Sequence, residues 1–312
     1  MSKPMIQTEE LVKNYGNVKA VDHLNLIVYE GEIFGFLGPN GAGKTTTLLM
    51  LMGLSMPTSG TAVVAGYDIV KDSRKVRTVA AILPEGAGYY GDLTARQNLE
   101  YIAQLNDIPK LEREKRIKEF LEVVDLTKWT DTKVEKFSRG MKQRLGIAEV
   151  LIKKPRVAFF DEPTVGLDPQ GTKDVRDIMF RLNKEQDLTI FLSSHLLHEV
   201  QQTCQRVGFI RGGKLVAADK IDNLSGKISG KEQIIIEFEL TKTSPDLIRD
   251  IKSIDGVTSV EQEGNKLHVH MERNNSKEVS ETIMKHDLTI LMMKQKEYDL
   301  EEIFLKYYKE DD

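Results

Sequence analysis

Residues Gly38 to Thr46 read GPNGAGKTT, and no other stretch limits the fold of this chain as strongly. The segment satisfies G-x-x-x-x-G-K-[ST]. It follows the short apolar run IFGFL (Ile33 to Leu37) and opens the helical pattern TTTLLMLMGL. A strand, a glycine-rich turn and a helix in that order make an anion cradle. The glycines let backbone N–H groups turn inward, and the helix N-terminus adds its positive dipole end. Gly38, Pro39, Asn40, Gly41, Ala42, Gly43, Lys44, Thr45 and Thr46 would then surround a phosphate chain. Lys44 would reach the β- and γ-phosphates, and the Thr45 hydroxyl would ligate Mg2+. The competing reading is a glycine-rich turn with a solvated lysine, which the strand–loop–helix context disfavours.

A second piece, VAFFDEP, ends a buried-strand pattern in Asp161 and Glu162. Asp161 can hold Mg2+, and Glu162 can polarise the water that attacks a γ-phosphate. A strand ending in Asp-Glu is alone more often a pair of capping acids; the phosphate loop upstream changes that weighting. The chain has 312 residues, enough for one large domain and a smaller one. Apolar residues make up 40% and charged residues 29%, so a core is available and global disorder is excluded. A net charge of −4 argues against a chain built to coat nucleic acid. The single cysteine, Cys204, rules out an internal disulfide and points to a reducing, cytosolic setting. No apolar run is long enough to span a bilayer, and the first residues lack a signal-peptide core.

Over the first 220 or so residues, short β-rich runs alternate with helical patterns. IFGFL, VAFF (Val157 to Phe160) and LTIFLS (Leu188 to Ser193) are apolar on both faces, as buried parallel strands are. MIQTEELV and HLNLIVYEG alternate apolar and polar residues, as half-exposed antiparallel strands do. Between Thr94 and Leu151 the pattern is helical. The segment DNLSGKISGKEQ, from Asp222, has linker composition. Beyond it the pattern predicts β-α-β-β-α-β and a terminal helix DLEEIFLKYYK, the split-βαβ order of ferredoxin-like folds.

With these motifs in view, the chain resembles the ATP-binding subunits of ABC transporters, and residues 1 to about 220 carry the resemblance. Tyr15, in KNYG, falls where the family has an aromatic that stacks on adenine; an ordinary strand-end aromatic is the alternative. LPEGAGYY occupies the Q-loop position, with Glu85 in place of glutamine. FSRGMKQR stands where the LSGGQ signature would be, keeping Ser138 and Gly140 but carrying Arg139 and Met141. VGLD, ending at Asp168, matches the D-loop. SSH, ending at His195, matches the switch loop, whose histidine contacts the γ-phosphate.

The resemblance implies an α/β fold: a P-loop NTPase of ABC type over residues 1–222, with an antiparallel β subdomain and a helical insertion at about 92–150. A linker and ferredoxin-like accessory domain would follow over 223–312. It also implies an ATPase using ATP and Mg2+, with Glu162, His195 and Lys44 catalytic. Ser138, Gly140 and Asp168 would join Tyr15 and the phosphate loop as nucleotide ligands, and Thr45, Glu85 and Asp161 would face the metal. Two copies would pair head to tail on a separate transmembrane permease, peripherally at the cytoplasmic face of the membrane, with no nucleic-acid partner. The departures at 85, 139 and 141, and the C-terminal block, are similar to those of type-two exporters such as drug, antibiotic-resistance, sodium and copper-maturation systems. An importer ATPase, or a soluble ABC ATPase working on nucleic acid or ribosomes, stands as the alternative. Glu85 is either a metal-facing carboxylate or a loop residue facing the permease. Arg139 either adds charge at the phosphate or points to solvent.

Other features have plain readings. EREKRIKEF is a solvated helix face. His268 and His270 are surface residues on one strand rather than metal ligands. Cys204 is a partly buried small residue, and the Met pairs at 50/52 and 292/293 are core filler.

Overall fold

Alternating and all-apolar strands call for different surroundings, and the chain supplies both. The computed structural model describes residues 3–221, 223–224, 234–295 and 300–309. The chain divides into two compact units, Met1–Lys220 and Ile221–Asp312.

The first unit opens with β1 (Pro4–Tyr15) and β2 (Val18–Tyr29), paired antiparallel. On β2 the alternation buries Val21, Leu24, Leu26 and Val28 and turns the residues between them outward. β3 (Ile33–Leu37) has no exposed position and runs into the phosphate loop and α1 (Lys44–Leu51). β4 (Ser59–Val64) and β5 (Tyr67–Asp68) complete the antiparallel sheet in the order β2-β1-β4-β5. After α2 (Ser73–Val79) and β6 (Ala80–Leu83) come three helices that pack on one another: α3 (Ala95–Leu105), α4 (Lys110–Val123) and α5 (Arg139–Leu151). Thr94 and Gln97 close a capping box at the start of α3, which is why the helix begins where the pattern predicts.

The remaining elements are β7 (Val157–Asp161), α6 (Pro169–Gln186), β8 (Thr189–Ser194), α7 (Leu197–Thr203), β9 (Arg206–Arg211) and β10 (Lys214–Lys220). The second sheet runs β10-β9-β3-β8-β7-β6, parallel except for the β9–β10 edge. Phe191 of β8 meets Phe34, Phe36 and Phe159 with ring centroids 5.5, 5.3 and 5.6 Å apart. This cluster joins side chains of both sheets and of α1 in one core. Each such ring contributes roughly 1.5–3 kcal/mol by burial.

The second unit contains β11 (Ile234–Leu240), α8 (Pro245–Lys252), β12 (Val257–Glu263), β13 (Lys266–Met271), α9 (Ser276–Lys285), β14 (Ile290–Gln295) and α10 (Leu300–Lys309). Its sheet order, β12-β13-β11-β14, is that of a ferredoxin-like fold. Phe238, Leu267, Val269 and Ile283 lie in its core. Most of the predicted linker, residues 222 and 225–233, lies outside the described residues, as does Asp299 of the predicted terminal helix.

Two plain readings are corrected here. Met50 and Met52 are core residues, but Met293 is 53% exposed, because β14 is an edge strand of its sheet. Cys204 is buried against β3 rather than partly open, and burial pushes its thiol up. His268 and His270 are half-buried, with the Glu263 and Glu261 carboxylates diagonally across the strand pair at 3.8 and 3.6 Å. Among the described residues no cluster of three His, Cys, Asp or Glu side chains is arranged to hold a metal.

Candidate functional site

Because β3, β8 and β7 are adjacent and parallel, their carboxyl ends meet along one edge, where open α/β sheets bind ligands. The central strand stitches the other two together. Gly38 N–H donates to the Ser194 carbonyl (3.3 Å), and Glu162 N–H donates to the Ser193 carbonyl (3.0 Å). Gly43 closes the phosphate loop at φ +105°, and a Cβ there would overlap the Ala20 carbonyl, so only glycine fits. The helix that follows starts at Lys44, which aims its first amides at the loop.

Lys44 is buried, and its ammonium donates to the Gly38 carbonyl (2.8 Å) and the Pro39 carbonyl (3.3 Å). It also lies 3.2 Å from Glu162 Oε1. The Thr45 hydroxyl donates to Asp161 Oδ2 (2.7 Å), and the Ser193 hydroxyl donates to Asp161 Oδ1. Glu162 sits at φ +50°, a conformation that costs a non-glycine residue on the order of 1–3 kcal/mol. That bend turns its carboxylate away from the strand line. Its Oε2 accepts from Ser194 Oγ (3.3 Å) and lies 3.0 Å from His195 Nδ1. Its Oε1 is buried and charge-paired with Lys44, yet accepts no aligned hydrogen bond. A buried carboxylate oxygen with an open lone pair can take a proton from water.

Ser138 caps α5, its hydroxyl accepting from Met141 N–H (3.2 Å), and Asp168 caps α6, its Oδ1 accepting from Gly171 N–H (2.7 Å). Ser138, Gly140 and Asp168 together line a hollow of about 360 Å³ to which residues 38–46 contribute nothing. Glu85 is exposed and lines a smaller hollow, about 130 Å³, with Glu162, Arg139 and Lys142; neither Thr45 nor Asp161 lines it. Tyr15 ends β1, 51% exposed, with the Lys13 ammonium 4.9 Å from its ring centroid. Burial pushes the Glu149 carboxyl up to about 8 and also raises the phenol of Tyr89, which lines the smaller hollow.

Four side-chain contacts escaped the sequence reading. Ser193 and Ser194, inside the SSH motif, hold the two carboxylates; the Asp161–Ser193 register of β7 and β8 brings them there. Lys44 pairs directly with Glu162. Arg139 lies against Gly166. None has a local sequence signal.

An amide-lined loop with a buried ammonium, beside a strand-end Asp-Glu pair and a histidine, defines a phosphate-loop ATPase core. The ABC transporter family model matches residues 21–165. The bacitracin transport ATP-binding protein of Bacillus licheniformis is 38% identical over 97% of this chain and 96% of its own length. The linearmycin resistance ATP-binding protein of Bacillus subtilis is 33% identical over 96% and 97%. The methionine import ATP-binding protein of Geobacillus kaustophilus is 38% identical, but over 70% of this chain and 66% of its own. A solved ATP-binding subunit of an ABC transporter superposes with TM-score 0.65 at 26% identity, covering 72% of this chain and 93% of that one. A dimeric cassette bound to ADP and phosphate shares the fold at TM-score 0.62 and 24% identity, over 69% and 98%. The chain belongs to the ATP-binding subunits of ABC transporters, and it is an ATPase that powers transport.

Proposed function

We propose that this subunit drives an exporter. The observation that carries the reading is coverage. The relatives named for bacitracin transport and linearmycin resistance align along nearly the whole chain, accessory unit included, whereas the methionine import relative aligns over 70% of it. An importer ATPase is the competing assignment.

The hard oxygens of Thr45 and Asp161, hydrogen-bonded to each other at 2.7 Å, suit Mg2+, which would neutralise charge on the phosphates. Lys44 exchanges Glu162 for the β- and γ-phosphates. Glu162 Oε1 accepts the proton of the attacking water, and His195 holds Oε2 and faces the γ-phosphate. Tyr15 supplies a stacking surface for adenine, and Glu85 acts on the metal only at long range, from the hollow it shares with Glu162. Ser138 and Gly140, with Asp168, serve the nucleotide held by a second copy, which is supported by their separate hollow. ATP binding thus closes a head-to-tail dimer, and hydrolysis opens it.

No helix among the described residues is long and apolar enough to cross a membrane. The reading adds a separate transmembrane permease, with this subunit peripheral to it at the cytoplasmic face, supported by the relatives named for transport and resistance. The unit beyond about residue 223 carries no phosphate-binding pattern and is non-catalytic.

If the site is shared, Ser138→Arg abolishes hydrolysis while ATP binding to the monomer stays within about twofold, and the specific activity of the wild type falls on dilution. A dilution-independent rate, with Ser138→Arg active, refutes the shared site.

A further inference from the structure

We propose that Arg139, which stands where the resemblance expects a signature glycine, is a positioning residue. It seats the turn around Gly166 and through that turn sets Glu162. The inference rests on the ATPase reading above.

Arg139 is the first residue of α5; the residue is exposed, and its guanidinium lies against Gly166. At Gly166 (φ +70°), a Cβ would overlap the Arg139 guanidinium; its Nη1, Cζ and Nη2 are the three nearest atoms. The missing side chain of one residue is therefore the seat of another. Arg139 lines both hollows, the one holding Glu85 and Glu162 and the one holding Ser138 and Asp168.

The turn it sits on is short and tied at both ends. Val165 N–H donates to the Glu162 carbonyl (3.3 Å), and Leu167 N–H donates to the Thr164 carbonyl (3.2 Å). Glu162, strained at positive φ, begins this turn, and Asp168 ends it as the cap of α6. A segment of this length with a strained residue at its head has little slack, so displacing Gly166 re-aims the carboxylate. A flat guanidinium can lie on a glycine backbone, and an ammonium on a flexible stem cannot reproduce that contact. The contact links the first turn of the signature helix to the catalytic carboxylate within one subunit.

The test is a double-mutant cycle on the full chain with Arg139→Ala and Gly166→Ala, reading steady-state kcat, KM for ATP, equilibrium ATP binding and melting temperature. Arg139→Ala is expected to lower kcat about tenfold with KM and melting temperature little changed. Gly166→Ala, which evicts the guanidinium, lowers kcat by at least as much. Contacting residues couple by ~0.5–3 kcal/mol, so the double variant falls short of the product of the two losses by about twofold or more. Arg139→Met, which keeps the stem without the plane, behaves like Arg139→Ala and substitutes for it if the alanine variant misfolds. Arg139→Lys also behaves like Arg139→Ala.

Multiplying losses, or full activity in Arg139→Lys, overturn the proposal; the second would make Arg139 a source of charge alone. A wild type that hydrolyses ATP beside an inactive Lys44→Ala keeps the ATPase reading intact whichever way the cycle falls.

Discussion

Replacing Glu162 with glutamine separates the two tasks its carboxylate performs. In the structure Oε1 lies 3.2 Å from the Lys44 ammonium, and both side chains are almost completely buried. At an effective dielectric constant of ~20 the gross attraction at that distance is about 5 kcal/mol. Most of it is offset by the desolvation of the two charges, which leaves a net attraction on the order of 1–2 kcal/mol. Lys44 has to give up this contact to reach a phosphate. The amide of glutamine leaves the ammonium its bonds to the Gly38 and Pro39 carbonyls, at 2.8 and 3.3 Å, so the variant is expected to fold. With the competing anion gone, ATP should bind about tenfold more tightly, since 1.4 kcal/mol is a factor of ten. Turnover should fall by about 10²–10⁴, the usual worth of a positioned general base. Calorimetric titration with ATP at fixed Mg2+, and initial rates of phosphate release, measure the two effects on one preparation. Sedimentation should detect a dimer of the variant with ATP and a monomer without it. An affinity that is unchanged or weaker would show that the Lys44–Glu162 pair does not compete with nucleotide. Turnover near that of the wild type would remove Glu162 from the chemistry.

Glu85→Gln should raise the Mg2+ concentration for half-maximal hydrolysis severalfold, because it removes a negative charge from the hollow beside Glu162; an unchanged titration would assign Glu85 to the permease-facing surface. Burial lifts Glu149 from an ordinary 4.5 to about 8, so the folded state holds a proton that the unfolded state has released between those values. Its contribution to stability is therefore fully present below about pH 4.5 and is lost as the pH rises to about 8. Melting temperatures followed from pH 5 to 8 should decline less steeply in Glu149→Gln, and parallel profiles would refute the assignment.

Much of this protein is determined locally and can be read from the chain alone. GPNGAGKTT specifies its loop because glycine spacing and the onset of a helix are short-range constraints, and the loop forms where the pattern requires. The helix at 95–105 starts at its own capping box, and the β-α-β-β-α-β order of the second unit follows from alternation and turn residues within each segment. Side-chain partnership is not local. Ser193 reaches Asp161 because β8 lies parallel between β3 and β7, and Lys44 meets Glu162 because two loops end at the same sheet edge. Met293 is exposed because its strand is an edge, although its residue type favours burial. Of the two readings for Arg139, phosphate or solvent, the residue is exposed as the second requires, and the fold adds a neighbouring turn whose missing Cβ leaves its guanidinium room. Sequence pattern sets each strand, loop and helix through sterics and backbone hydrogen bonding over a few residues. Strand order, register and the packing of one loop against another then decide which charges end up buried together, and only the folded chain contains that information.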